Sequence, residues 1–226
     1  MDERVSIVVP VLNEAEGITA TLQALQPLRR DGAELIVVDG GSTDATLVRC
    51  AGLADQLLSS ARGRARQMNT GAQAATGTLL LFLHADTRLP DAALNQVRRA
   101  LASGERDWGR FDVAIEGRSR LFPLIAWMMN WRSRLTGIAT GDQAMFVRCT
   151  SFDAVGGFVE QPLMEDIELS RRLRRRGRPA CLRARVVTSG RRWERDGVWR
   201  TVLLMWRLRL LYWLGVSPQR LAQAYR

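Results

Sequence analysis

The chain has 226 residues, 46% hydrophobic and 25% charged, with 19 glycines and 7 prolines. These proportions exclude disordered, collagen-like and disulfide-scaffold proteins and suit one sizeable core, or a core with an appendage. All 33 basic residues are arginine against 23 acids, giving a net charge of +10 and an isoelectric point near 11.2, which points to a polyanionic partner. The charge is uneven: residues 1–117 hold 12 Arg and 15 acids, net −3, whereas residues 118–226 hold 21 Arg and 8 acids, net +13. With no lysine, Schiff-base chemistry and a Walker-type phosphate lysine are excluded, and every cation is a planar fork suited to phosphate or carboxylate.

Taken in chain order, residues 5–11 form a β-branched apolar run, the mark of a strand buried on both faces in a parallel sheet. Asn13 reads as the N-cap of a helix carrying Glu14 and Glu16 in its first turn and Ile18, Leu22 and Leu25 on its buried stripe, ending by Pro27. A strand over 34–38 stops at Asp39-Gly40-Gly41-Ser42-Thr43-Asp44. The alternation goes on with a short helix to about 52, a strand over 56–59, a helix over 64–75 and an apolar strand over 78–83. A helix over 91–102 and a strand over 109–116 follow. Repeated βαβ order means an α/β fold with right-handed crossovers. From 118 the pattern changes: an apolar segment over 121–131, a strand over 142–149, a helix over 166–176, a strand over 180–188 and a long helix over 198–214. The division expected is a catalytic domain over 1–190 and a Trp/Arg-rich helical tail over 191–226.

Ligands of open parallel sheets bind outside the carboxyl ends of the strands. Polar groups stand at three such ends: Asn13 and Glu14, Asp39, and His84 with Asp86. Acidic and amide groups there suit a nucleobase and ribose, and Asp86 suits a divalent cation that neutralises a diphosphate.

Five segments in this order, 5–14, 36–44, 62–72, His84-Ala85-Asp86 and Met164-Glu165-Asp166-Ile167-Glu168-Leu169, resemble family 2 glycosyltransferases of the GT-A fold over about residues 5–190. Within that family the chain is most similar to a subgroup of arsenosugar-biosynthesis glycosyltransferases associated with radical-SAM proteins. The resemblance implies a Rossmann-like, mostly parallel sheet flanked by helices, and a metal-dependent, inverting transfer from a nucleotide sugar, usually UDP-linked, to an acceptor. It puts Pro10, Asn13 and Glu14 on the first nucleotide loop, Asp39 on the base, and Arg62, Arg64 and Asn69 along the nucleotide pocket. Asp86 would ligate Mg²⁺ or Mn²⁺, and Asp166, in the Glu165-Asp166 pair, would be the general base. Gly141, Asp142 and Gln143 would meet the acceptor or donor sugar. The family commonly has Asp-x-Asp where this chain has His84-Ala85-Asp86, so His84 reads as a metal ligand, a phosphate contact or merely the close of a strand. The chemistry agrees with these roles, since inversion at an anomeric carbon needs a base on the acceptor side and a cation on the leaving-group side.

Residues 198–214 carry Trp199, Trp206 and Trp213 at spacings of seven, with Arg200, Arg207 and Arg209 between them. That composition suits either peripheral contact with an anionic membrane or a homodimer interface. The run Arg171-Arg172-Leu173-Arg174-Arg175-Arg176 reads as a solvated helix face, or as a surface for an anionic acceptor or lipid. Arg191-Arg192-Trp193 is loosely similar to the Gln-x-x-Arg-Trp element of processive relatives, but position 189 is Ser, which argues against processive synthesis. The competing reading is a basic, non-catalytic module for anionic membrane or nucleic acid. No RNP, helix-turn-helix or zinc motif supports nucleic acid. Three widely spaced cysteines, Cys50, Cys149 and Cys181, suit reduced thiols, and the absence of a signal-like N-terminus predicts a cytoplasmic protein that meets a membrane only at its inner face.

Overall fold

The computed structural model describes residues 3–225; Met1, Asp2 and Arg226, which belong to the expected domain and tail, lie outside the described residues. Strand β1 (Val5–Val11) lies between β2 (Glu34–Asp39) and β4 (Leu79–Phe82), parallel to both, and β2 pairs in parallel with β3 (Gln56–Ser59). The sheet continues through β7 (Phe146–Arg148), β6 (Trp108–Glu116) and β8 (Ala180–Ser189) to the two-residue β5 (Thr87–Arg88), in the order β3-β2-β1-β4-β7-β6-β8-β5. β7 runs antiparallel to β4 and β6, and β5 antiparallel to β8. Strands β1, β2, β3, β4, β6 and β8 therefore point the same way and bring their carboxyl ends to one edge.

Alternation of side chains along the central strands builds two cores. Val5, Ile7, Val9, Leu79 and Leu81 face helices α1 (Ile18–Arg30) and α4 (Ala93–Leu101), which contribute Ile18, Leu22, Leu25, Leu94 and Val97. Val8, Leu80 and Phe82 face the other way, toward α3 (Arg64–Ala74), α6 (Cys149–Ala154) and α7 (Glu165–Arg176), with Met68, Phe152, Leu169 and Leu173. Helix α3 sits so close to β1 that a Cβ on Gly71 would come within 2.4 Å of Val8 Cγ1, so only glycine lets this helix dock. Helix α2 (Thr46–Cys50) joins β2 to β3. Beyond β6, helix α5 (Phe122–Thr136) is fixed through fully buried Arg110, which pairs with Asp112 and donates to Ser133 Oγ and the Asn130 carbonyl, each at 3.1 Å. Residues 191–225 form three helices, α8 (Arg191–Asp196), α9 (Val198–Trp213) and α10 (Pro218–Tyr225). Leu208 and Leu221 of these pack on Leu163 and Met164 beside the start of α7.

The α/β architecture with a mostly parallel sheet is the one expected, with three local differences. Asn13 does not cap α1: it stands in a turn at φ +53°, and the helix begins at Ile18 without a side-chain cap. Pro27 lies inside α1, which runs on to Arg30. Residues 142–149 are not one strand. Gly141–Gln143 is a 3₁₀ turn, Ala144 adopts φ +45°, and only Phe146–Arg148 pairs in the sheet before α6 begins. The three cysteines are unpaired, and among the described residues no helix is long and apolar enough to cross a membrane.

At the edge of the sheet opposite the shared carboxyl ends, buried Glu34 accepts hydrogen bonds from Ser6 Oγ (2.5 Å), Gln56 Nε2 (3.0 Å) and the Thr76 N–H (2.8 Å), tying three strand segments together. Burial favours its protonated form, but these donors outweigh burial and hold the carboxyl below its usual 4.5. A depressed folded-state value means that the contribution is complete above the unfolded value and is lost as pH falls through the folded one. Glu34→Gln should accordingly lose less stability than the parent chain between about pH 5 and pH 3, read from denaturant midpoints. Parallel loss in both chains would remove Glu34 from that role.

Candidate active site

A cavity of about 550 Å³ opens across the carboxyl ends of β1, β4, β6 and β8. One wall comes from Pro10 to Leu12 and Glu14 after β1, from Arg62 to Arg64 and Gln67 at the start of α3, and from Ala85 and Asp86 after β4. The facing wall comes from Thr140 to Asp142 and from Pro162 to Ile167 at the start of α7. The C-terminal helices close it with Arg192, Trp193, Thr201, Met205, Arg209 and Tyr225.

On the first wall, burial and then the neighbouring Asp86 raise the Glu14 carboxyl above its usual range. Two carboxylates thus share one end of the cavity, a pair that a divalent cation would relieve. Among the described residues no group of three His, Cys, Asp or Glu side chains is placed to hold a metal. The neighbouring carboxylates of Glu14 and Asp86 are of the type that suits Mg²⁺ or Mn²⁺ taking one or two carboxylates from the protein and completing its shell with waters and substrate phosphates.

On the facing wall, Asp166 stands in the first turn of α7, and its Oδ2 accepts the Gly141 N–H at 2.8 Å while Oδ1 accepts the Ile167 N–H at 2.7 Å. Helix α7 starts from Met164 in a left-handed conformation, φ +66°, a strained backbone of the sort that concentrates at functional sites. The positive end of the helix dipole favours ionised carboxylates in this turn. Glu165, only 4% exposed, turns away to pair with Arg64 Nη1 at 3.2 Å and so ties α7 to α3. Burial first, and then Asp166, raise its carboxyl, while Arg64 opposes them. His84 Nδ1 lies 3.4 Å from Asp142 Oδ1, and its Nε2 is buried without a partner against Gly141, where a Cβ would come within 2.4 Å. Burial works to raise the Asp142 carboxyl, but His84, Arg64 and Arg209 together hold it below its usual value.

The structure thus brings Pro10, Glu14, Arg62, Arg64, His84, Asp86, Gly141, Asp142, Glu165 and Asp166 to one cavity. Four other residues singled out in the sequence stand off its wall. Asp39 is buried and accepts from the N–H groups of Gly41 and Ser42 and the Ser42 hydroxyl, so its carboxylate closes the glycine turn. Asn13 locks that turn to the loop after β1, donating its N–H to Ser42 Oγ and accepting the Thr43 N–H, both at 2.9 Å. Asn69 clamps the backbone N–H and C=O of Phe158, and buried Gln143 closes the 3₁₀ turn by accepting the Thr140 N–H. The Arg171–Arg176 run also stays outside: Arg172 donates to the carbonyls of Val155 and Gly157, and Arg174 to that of Thr136. Cations reach the cavity instead as Arg62, Arg64, Arg192 and Arg209.

Sequence reasoning passed over Gln67, whose buried amide donates to the carbonyls of Val11 (2.7 Å) and Val38 (2.9 Å) and stitches the ends of β1 and β2. It also read Arg209 only as a residue of the tail. Neither has a local signal, because each gains its place from segments distant in the chain.

Comparison with known proteins agrees with this architecture. A PGL/p-HBAD biosynthesis glycosyltransferase of Mycobacterium bovis is 39% identical over 94 residues, covering 38% of this chain and 37% of that protein. The chain thus spans well under half of that relative's length. The mannosyltransferase PcManGT of Pyrobaculum calidifontis, solved with GDP-Man and Mn²⁺, shares the fold at a TM-score of 0.64 and 23% identity, covering 83% of this chain and 57% of its own. TarS of S. aureus with UDP-GlcNAc shares it at 0.66 and 18% identity, covering 82% and 58%. The family profile described as "Glycosyl transferase family 2" matches residues 6–154, across β1 to α6. This chain belongs to glycosyl transferase family 2.

Proposed function

We propose that the cavity moves a sugar from a nucleotide-sugar donor to an acceptor hydroxyl with inversion at the anomeric carbon. The observation that carries this reading is that two sets of carboxylates from different elements line one cavity, Glu14 after β1 with Asp86 after β4, and Asp166 in the first turn of α7. Arg62 and Arg64 offer bidentate contacts to the donor diphosphate, and Pro10 and Glu14 border the nucleotide. A divalent cation bound through Asp86 would neutralise the charge that develops on the leaving diphosphate. Asp166, held by the Gly141 N–H, takes the proton of the acceptor hydroxyl as its oxygen attacks the anomeric carbon. The bond from that carbon to the diphosphate breaks, and the diphosphate departs with the electron pair. Solved relatives of the same fold hold GDP-Man with Mn²⁺ and UDP-GlcNAc, and a UDP-linked donor is our first choice. Membership of the arsenosugar-type subgroup rests on the order of the five motifs alone.

On this reading residues 1–190 are the catalytic unit and 191–226 its tail, from which Arg192, Trp193, Thr201, Met205, Arg209 and Tyr225 line the cavity. Exposed side chains along α9, among them Trp206 at 59% and Trp213 at 81%, and the stacked pair Trp127–Trp131 on α5, 3° from coplanar, support peripheral contact of this face with an anionic membrane.

Mn²⁺ should promote binding of UDP to the full chain, and Asp86→Ala should weaken that metal-dependent binding by about tenfold or more, measured by calorimetry. Equal affinity with and without metal would sink the role of Asp86. Asp166→Asn should retain UDP affinity while turnover falls by about 10²–10⁴-fold, measured with whichever donor gives transfer. Turnover preserved in that variant would remove Asp166 as the base.

A further inference from the structure

One arginine at the base end of the cavity, Arg209, and a second close to it, Arg132, make no hydrogen bond or ion pair among the described residues, although Asp166 attracts both and Asp142 attracts Arg209. Arg209, from α9, lines the cavity with Thr140, Asp142 and Asp166, and among the described residues its guanidinium makes no hydrogen bond or ion pair. Arg132, from α5, lies outside the cavity lining but close enough to repel Arg209, and among the described residues it makes no hydrogen bond or ion pair. The Nε and Nη2 atoms of Arg132 and the Nε of Arg209 are buried without partners. Other interior guanidiniums are engaged: Arg110 with Asp112, Ser133 and Asn130, and Arg134 with Asp112 at 2.6 Å, only two residues from Arg132. Like charges drawn together out of water are unfavourable unless an anion joins them. Burial, and then Arg209, push Arg132 down to about 9, while Asp166 opposes them.

The acids that oppose this effect are Asp166 for Arg132, and Asp166 and Asp142 for Arg209. The pair therefore belongs to the wall of the base rather than to the wall of Glu14 and Asp86, where a donor diphosphate would lie. We infer that Arg209 and Arg132 form an anion subsite for the acceptor, which carries a phosphate monoester or a carboxylate within a few bonds of the hydroxyl that faces Asp166. This inference rests on the reading of Asp166 as the base. The planar fork of Arg209, which lines the cavity, matches the oxygens of such a group in bidentate fashion, and Arg132 adds a second positive charge close to it.

The test uses the full chain with UDP and Mn²⁺ present to fill the donor end, and calorimetric titration with glycerol phosphate, glycerate and neutral glycerol. The anionic probes should bind and glycerol should not. Arg209→Gln and Arg132→Gln should each weaken the anion by about tenfold or more and leave UDP affinity within about twofold. Arg207→Gln, which removes the same charge from an exposed position on α9, should leave anion binding unchanged. Vesicles with and without phosphatidic acid separate the sources: binding to glycerol phosphate assigns a soluble anion, and binding to phosphatidic acid alone assigns a lipid-borne one. Anion affinity equal to wild type in both Gln variants, or no binding by any anion, would overturn the subsite. A melting measurement without anion guards against misfolding. Relief of the like-charge contact should raise the midpoint of Arg132→Gln by roughly 2–4 °C, and a fall of that size would show that Arg132 already has a counter-ion. Absence of UDP binding in the wild-type chain would instead sink the donor reading. The dependence of glycerol phosphate binding on Arg209 in nucleotide-free protein would still decide the subsite.

Discussion

The Asp166 carboxylate accepts the backbone N–H of Gly141 at 2.8 Å, and Gly141 in turn packs so tightly on the His84 ring that any larger residue would overlap it. Three segments meet at that contact: the end of β4, the 3₁₀ turn before β7 and the first turn of α7. Each is set by a different part of the fold, and each carries a charged group of the site. Asp86 follows His84 by two residues, Asp142 follows Gly141, and Glu165 precedes Asp166. Because the donor of this bond is backbone, the position of the Asp166 carboxylate is tied to the 3₁₀ turn. The Arg64–Glu165 pair, half-buried, ties the start of α7 to α3.

The arginine excess of the second half has two destinations in the structure. Part of it is used inside the fold, where Arg134 and Arg172 satisfy carbonyls and a carboxylate. Of the rest, Arg192 and Arg209 line the cavity, and others stand on α7, on β8 and along the C-terminal helices. A net charge of +13 over residues 118–226 is therefore not one basic patch of the kind that tracks a nucleic-acid backbone. It is a set of separate guanidiniums, each with its own distance from the acids of the site.

Much of this was legible in the residues. The β-branched runs of β1 and β2 read as buried parallel strands because nothing else accommodates them, and α3 and α7 announced themselves by periodicity and by the acids that open α7. The ends of β1 and β4 pointed to the cavity for the same reason. Other features arise only in three dimensions. Asn13 looks like a helix cap by type, but its amide is taken by Thr43, thirty residues away. Residues 144–147 are apolar enough to extend the following strand backward, yet Ala144 turns at positive φ to leave Gly141 free for Asp166. Asp39 was legible as a residue that matters, and the structure shows it closing the turn that carries the loop. Gln67, Arg132 and Arg209 had no local pattern, since their roles depend on which groups the fold does or does not set beside them.

In the proposed transfer Asp86 marks the cation and diphosphate end of the cavity and Asp166 the acceptor end. A crystal of the full chain grown with UDP and Mn²⁺, with the metal located by its anomalous signal, tests it most directly. The account predicts one Mn²⁺ at coordinating distance from an Asp86 carboxylate oxygen, about 2 Å, bridged to the diphosphate, with the Asp166 carboxylate free of metal and still bonded to Gly141. A metal bound at Asp166, or a diphosphate seated among Asp142, Asp166 and Arg209 with Asp86 uninvolved, would contradict it.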